Sequence, residues 1–193
     1  MLGRKHTGFS LVELIVGLAI LGLLLALGVP QYATFIANSR LRATAEGVAN
    51  GLNLARAEAV KRNARVELVL TNEEPIEALV NALPTDSAGY NWVVRQQVGV
   101  GNYSFIEGKV GAEGSGKTEG SSVVIASSSG GIVAFNGFGA SASGAVSFQI
   151  TSAAGLCAAA GGPLRCLNIN VSPGGQIRVC DPNVTDAKDT RAC

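Results

Sequence analysis

Histidine is all but missing from this chain: the single copy is His6, beside the start. Imidazole acid–base work and a Ser-His-Asp arrangement therefore have no material in the rest of the sequence. Charge is scarce too. Lys, Arg, Asp and Glu make up 15% of the 193 residues and leave a formal net charge of +1, so composition implies no polyelectrolyte partner. Also lacking is any C-x-x-C pair, and the four cysteines, Cys157, Cys166, Cys180 and Cys193, all fall in the last quarter with no histidine near them. That distribution speaks against a metal site and for disulfides made in an oxidising compartment. Serines and carboxylates occur in no constellation that would make a nucleophile or an acid–base pair. A non-enzymatic chain without cofactor, metal or small-molecule substrate is the expectation.

What the chain has in excess is apolar residues, 47% of the total, with the surplus in one block near the start. Glu13 is the one charged residue in a run of 21 from Phe9 to Val29. At about 1.5 Å of rise per residue that run spans roughly 30 Å, the thickness of bilayer hydrocarbon. Arg4 and Lys5 precede it and would hold that end in the cytoplasm, placing everything after Val29 beyond the inner membrane. An ordinary secretory signal cut near Gly28 or Ala33 is the plainer alternative, but its apolar region is typically shorter and carries no acid. Helical periodicity also continues past Pro30. Leu41, Ala45, Val48, Leu52, Ala55 and Ala59 recur at spacings of four and three, which lines one face of a helix. The anchor (9–29) and an amphipathic continuation (30–64) thus read as one helix. Pro30 has no amide to bond the carbonyl of Ala26, so a bend is expected there.

Glu13 is the anomaly. A carboxylate inside a membrane segment costs about 2.5–3.5 kcal/mol on insertion scales, and either finds a specific partner or snorkels to the headgroups. Gly8-Phe9-Ser10-Leu11-Val12-Glu13 resembles the prepilin processing motif of type IV pilins and type II secretion pseudopilins. The resemblance implies that residues 1–8 are a leader, that prepilin peptidase cuts between Gly8 and Phe9, and that the new amine of Phe9 is methylated. It further implies that Glu13 serves assembly by pairing with the Phe9 ammonium of a neighbouring subunit in an apolar filament core, where an unpaired charge is costly. Leu52 through Asn63, LNLARAEAVKRN, is similar to the late-helix signature of FimT/FimU minor pilins and GspH-type minor pseudopilins.

After Asn63 the period changes. Val66, Leu68 and Leu70 alternate with Arg65, Glu67 and Val69, the pattern of a first strand. Further strands are expected at 90–98, 122–127, 131–135, 145–151, 167–171 and 176–180, between turns rich in Gly, Ser, Asn and Pro. Trp92 and Phe135 read as core, and 108–121 as an exposed loop. In that loop Gly111-Ala112-Glu113-Gly114-Ser115-Gly116-Lys117-Thr118 matches G-x-x-x-x-G-K-[ST]. The phosphate cradle needs a strand before it and a helix after it, yet Glu119 to Ser122 leads into a strand-like run, which makes a nucleotide site a remote alternative.

Four cysteines allow three pairings, of which the short Gly-containing loops favour Cys157 with Cys166 and Cys180 with Cys193. The ending from Cys180-Asp181-Pro182 to Arg191-Ala192-Cys193 resembles FimT/FimU tails more than those of pseudopilins. Gly175-Gln176-Ile177-Arg178 is similar to the Gly-Arg-x-Arg motif of FimT-like competence pilins with one arginine missing. DNA contact would rest on Arg178 and Arg165, among Asp181, Asp186 and Asp189, which lower the local potential.

The expected fold is α+β: one long helix packed on an antiparallel sheet, with a β-rich head over 65–193. The resemblance implies a minor type IV pilin that takes part in pilus assembly, priming or tip formation, with adhesion, twitching motility or DNA uptake as outputs. A GspH-type pseudopilin of a type II secretion system is the alternative, and a membrane-anchored nucleotide-binding enzyme the remote one. Expected partners are other pilins or pseudopilins, prepilin peptidase and the inner membrane. A single-pass protein with a periplasmic head, later carried into a pilus or pseudopilus, follows.

Overall fold

The computed structural model describes residues 10–110 and 123–193, with the side chains of 27–30 outside that description. By its contacts the chain divides into two units, Met1–Ile36 and Ala37–Cys193. Helix α1 runs from Leu11 to Arg62 and continues through Pro30. Its C-terminal end is closed by Asn63 in the left-handed conformation (φ 45°), with the Asn63 amide bonded to the Val60 carbonyl (3.2 Å) and the Ala64 amide to that of Ala59 (3.1 Å). This is the Schellman arrangement, in which Asn takes the place usually given to Gly. Lys61 and Arg62 in the last turn suit the negative end of the helix dipole.

In the head, two four-stranded antiparallel sheets lie in one core with α1. The first comprises β1 (Val66–Thr71), β2 (Asn91–Gly99), β3 (Asn102–Val110) and β5 (Ile132–Phe135), in the order β3-β2-β1-β5. The second comprises β4 (Val123–Ser127), β6 (Val146–Ser152), β7 (Leu167–Val171) and β8 (Ile177–Cys180), in the order β4-β6-β7-β8. The helix stripe from Leu41 to Ala59 packs with Leu68, Trp92 and Phe135 of the first sheet and Phe148, Ile150 and Ile169 of the second. Gly51 lets the helix come this close: a Cβ there would stand 2.9 Å from Leu68 Cδ1 and 3.2 Å from the Trp92 ring. The general cost of a mid-helix glycine, about 0.5–1 kcal/mol, is offset by burying the indole.

Three expectations need correction. The single sheet is two: β4, β6, β7 and β8 pair among themselves and the other four strands among themselves, and the one helix stripe shares a core with both. Residues 102–110 form a strand, so the exposed loop does not begin at 108, and 111–121 lie outside the described residues. Strand β1 does not alternate between core and solvent. All six of its residues are buried, since segment 72–90 folds back over its outer face with Val80 and Leu83 buried. There Glu67, only 3% exposed, accepts from Arg95 Nε at 2.9 Å, while Arg95 Nη1 donates to the Val80 carbonyl at 2.8 Å and the guanidinium lies 3.6 Å from the Tyr103 ring centre. Each partner of this buried pair is satisfied, as burial of charge requires.

Candidate assembly site

Ser10 opens α1 as its N-cap. Its Oγ accepts from the Glu13 amide (3.2 Å), and the Glu13 carboxylate accepts from both the Ser10 amide (2.9 Å) and the Ser10 hydroxyl (3.1 Å). This is a capping box, S-x-x-E, which satisfies two orphan donors of the first turn reciprocally. The signal was present in the sequence, and Ser10 is the functional neighbour that the reading of Glu13 by itself passed over. From Leu11 to Leu25 every large apolar side chain is at least half exposed, on all sides of the helix. A helix apolar all round needs lipid or protein around it, and this one is long and apolar enough to cross a membrane. Among the described residues Glu13 meets no cation.

Within the late-helix signature, Glu58 bonds Lys61 (2.9 Å) and Arg62 (2.6 Å), and the two cations, Lys61 first, hold its carboxyl below the usual range. Arg62 also donates to Gln96 Oε1 (2.8 Å), tying the helix end to β2. Arg56 Nε donates to the Gly139 carbonyl (3.1 Å) across 83 residues, a contact for which no local sequence signal exists. The turn at Gly175 (φ 80°) closes on the same carbonyl so tightly that a Cβ would have no room. The string thus fixes the loop after β5 and the β7–β8 turn to the helix.

Residues 44–175, more than half of the chain, match the family of type II transport protein GspH. The chain belongs to that family. Residues 3–29 match the prokaryotic N-terminal methylation motif. No curated protein sequence matches. Among solved structures, the type IV minor pilin FimU of Pseudomonas aeruginosa is similar at 17% identity over 75% of this chain and 91% of that one, with a TM-score of 0.54. A second crystal form of FimU gives 16%, 72%, 90% and 0.50 in the same order. The minor pseudopilin EpsH of the Vibrio cholerae Type 2 Secretion System gives 9%, 75%, 99% and 0.49. The methylation motif and a helix long and apolar enough to cross a membrane fit a membrane-anchored member of that family.

The rest of this GspH-family chain's site residues fall as follows. Gly8, Phe9 and the Gly111–Thr118 string lie outside the described residues. Cys157 is bonded to Cys166 and Cys180 to Cys193. Arg178 Nη2 donates to the carbonyls of Thr190 (2.8 Å) and Ala192 (2.7 Å), so with the second disulfide it folds the tail back beside β8, an edge strand. Arg165 is exposed, and its amide donates to Asn38 Oδ1 (2.7 Å), holding the first disulfide loop to α1. Arg191 pairs with Asp189 (2.7 Å) and holds that carboxyl at about 2. Among the described residues no His, Cys, Asp and Glu cluster could hold a metal.

Proposed function

We propose that the chain is a non-enzymatic minor type IV pilin, cut between Gly8 and Phe9, methylated on Phe9, and drawn from the inner membrane into a filament with its head on the periplasmic side. The observation that carries the assembly step is Glu13, the one charge in the exposed apolar stretch from Leu11 to Leu25, held by Ser10 at the first turn with no cation of its own among the described residues. A neighbour's Phe9 ammonium supplies the missing charge, and the need to pair it sets the axial stagger between helices. The short tail closed by Cys180–Cys193 favours the pilus over the secretion machinery, through its resemblance to FimT/FimU tails. Membership of a family named for type II transport favours a pseudopilin, the second reading.

Glu13→Val tests the assembly step. The variant inserts at least as well as the wild type, is processed, and is depleted from sheared filaments. Wild-type incorporation would reduce Glu13 to a snorkelling acid. Deleting the gene separates the two readings: loss of twitching with exoprotein secretion intact marks a pilin, and the reverse marks a pseudopilin.

A further inference from the structure

The end of the head at which α1 finishes gathers apolar side chains that the fold leaves outside. Val100 is fully exposed at the tip of the β2–β3 hairpin, Phe138 is 92% exposed on the loop after β5, and Val98 and Val60 are more than half exposed. They share one end because the Gln97 amide donates to the Arg65 carbonyl (3.0 Å), Gly137 packs on Asn63, and Gly139 meets Val60. Local structure does not ask for them. Tips of turns favour Gly, Asn, Asp, Pro and Ser, and at this one Gly101 supplies the positive φ (70°). The loop after β5 is held by Asn136, whose Oδ1 accepts from the amides of Phe138 (3.0 Å) and Ala140 (3.1 Å), so the Phe138 ring contributes nothing to its shape. Exposed apolar groups at one place mark contact surfaces, and aromatic residues are enriched in them.

Charge at this end is positive. Lys61, Arg62 and Arg65 outnumber Glu58, whose side chain is 12% exposed, and Glu67 is buried against Arg95. At the other end of the same sheet the sign reverses among the described residues. Glu73 and Glu74 follow Thr71 and are exposed, and Asp86 joins them through its amide bond to the Leu70 carbonyl (2.9 Å) and its carboxylate bond to Asn72. Lys109, paired in register with Trp92, is a cation at that end.

We propose that the surface formed by Val60, Val98, Val100 and Phe138 docks the head of an adjoining pilin subunit along a carboxylate-bearing edge, of the kind this chain presents at Glu73, Glu74 and Asp86. The contact is heterologous, one surface against a different surface of the next subunit, the type that continues along a filament instead of closing. Apolar burial supplies the attraction, and the surrounding cations orient the partner and disfavour basic ones. The inference rests on the assembly reading above.

Its test is photo-crosslinking of the full-length protein in its own membrane, with benzoylphenylalanine at Val100 or Phe138 and, as control, at Leu156, itself 67% exposed. Products are mapped by mass spectrometry in sheared filaments. Val100 and Phe138 should join a pilin peptide that carries exposed carboxylates, from this chain or another subunit, with yields above the Leu156 control. Lys61→Glu with Arg65→Glu should lower those yields roughly three- to fivefold, the scale of turning attractive surface pairs repulsive. Products with lipid or nucleic acid alone, with a basic peptide, or at no more than the Leu156 level overturn the surface while leaving assembly standing, provided the protein is in the filaments. Absence of the protein from filaments and pseudopili overturns the assembly reading and this inference together.

Discussion

Before residue 37, a single carboxylate stands exposed among apolar side chains, Glu13, bonded to Ser10 alone among the described residues. In the head, Glu67 is 3% exposed and is met by Arg95, which is in turn bonded to Val80 and stacked on Tyr103. Both acids sit where apolar residues dominate, and the difference lies in where the opposite charge comes from. Glu67 finds it within the chain, so its pair is part of folding. On the proposed function Glu13 takes it from another chain, which would make its pair part of assembly. Apolar side chains divide the same way, turned inward on the Leu41–Ala59 stripe and outward from Leu11 to Leu25.

The largest effect that would break this comparison comes from the buried pair. Arg95→Met leaves the buried Glu67 carboxylate with only the long 3.8 Å contact to the half-exposed Arg65 and should cost the head about 3–5 kcal/mol. Glu13→Gln should leave thermal unfolding of the head unchanged in detergent-solubilised full-length protein. Equal losses in the two variants would show that Glu13 is a folding residue after all. A second contrast uses one residue type in both regions. Leu52→Ala opens a cavity in a fully buried site and should cost about 2–5 kcal/mol, whereas Leu21→Ala should stay within about 0.5 kcal/mol by the same melt.

Cys180→Ser with Cys193→Ser should lower head stability by about 2–4 kcal/mol. Membrane insertion, followed by fractionation, should be untouched, because the bridge acts on the head alone. The smallest effect is a titration. Arg191 holds the Asp189 carboxyl at about 2, below its ordinary 3.8. A lowered carboxyl stabilises the folded tail fully above the ordinary range and loses that contribution as pH falls towards 2. NMR should find the Asp189 midpoint near 2, moving back towards 3.8 in Arg191→Ala.

Sequence alone determined the helix, since its signals are local: the run from Phe9 to Val29, the stripe from Leu41 to Ala59, and the S-x-x-E box at Ser10 and Glu13 all lie within a few turns of themselves. Seven strands were also legible within a residue or so at their ends, from Val66–Thr71 to Ile177–Cys180, because alternation and turn residues mark them. Strand β3 was not. Its hairpin pairing with β2 carries two register shifts, and Glu107-Gly108 breaks the apolar pattern.

Tertiary structure decided whatever depended on distant partners. Two sheets or one could not be told from faces that look alike in composition. Glu67 read as a solvent-facing residue of an alternating strand, and only the return of segment 72–90 over β1 buried it against Arg95. Arg56 reaches Gly139 over 83 residues, and Val100 and Phe138 lie at the same end of the head only because β2 and β5 both pair with β1. Periodicity records which face of an element is apolar. What covers that face is settled by chain that lies far away in sequence, and no local pattern holds that information.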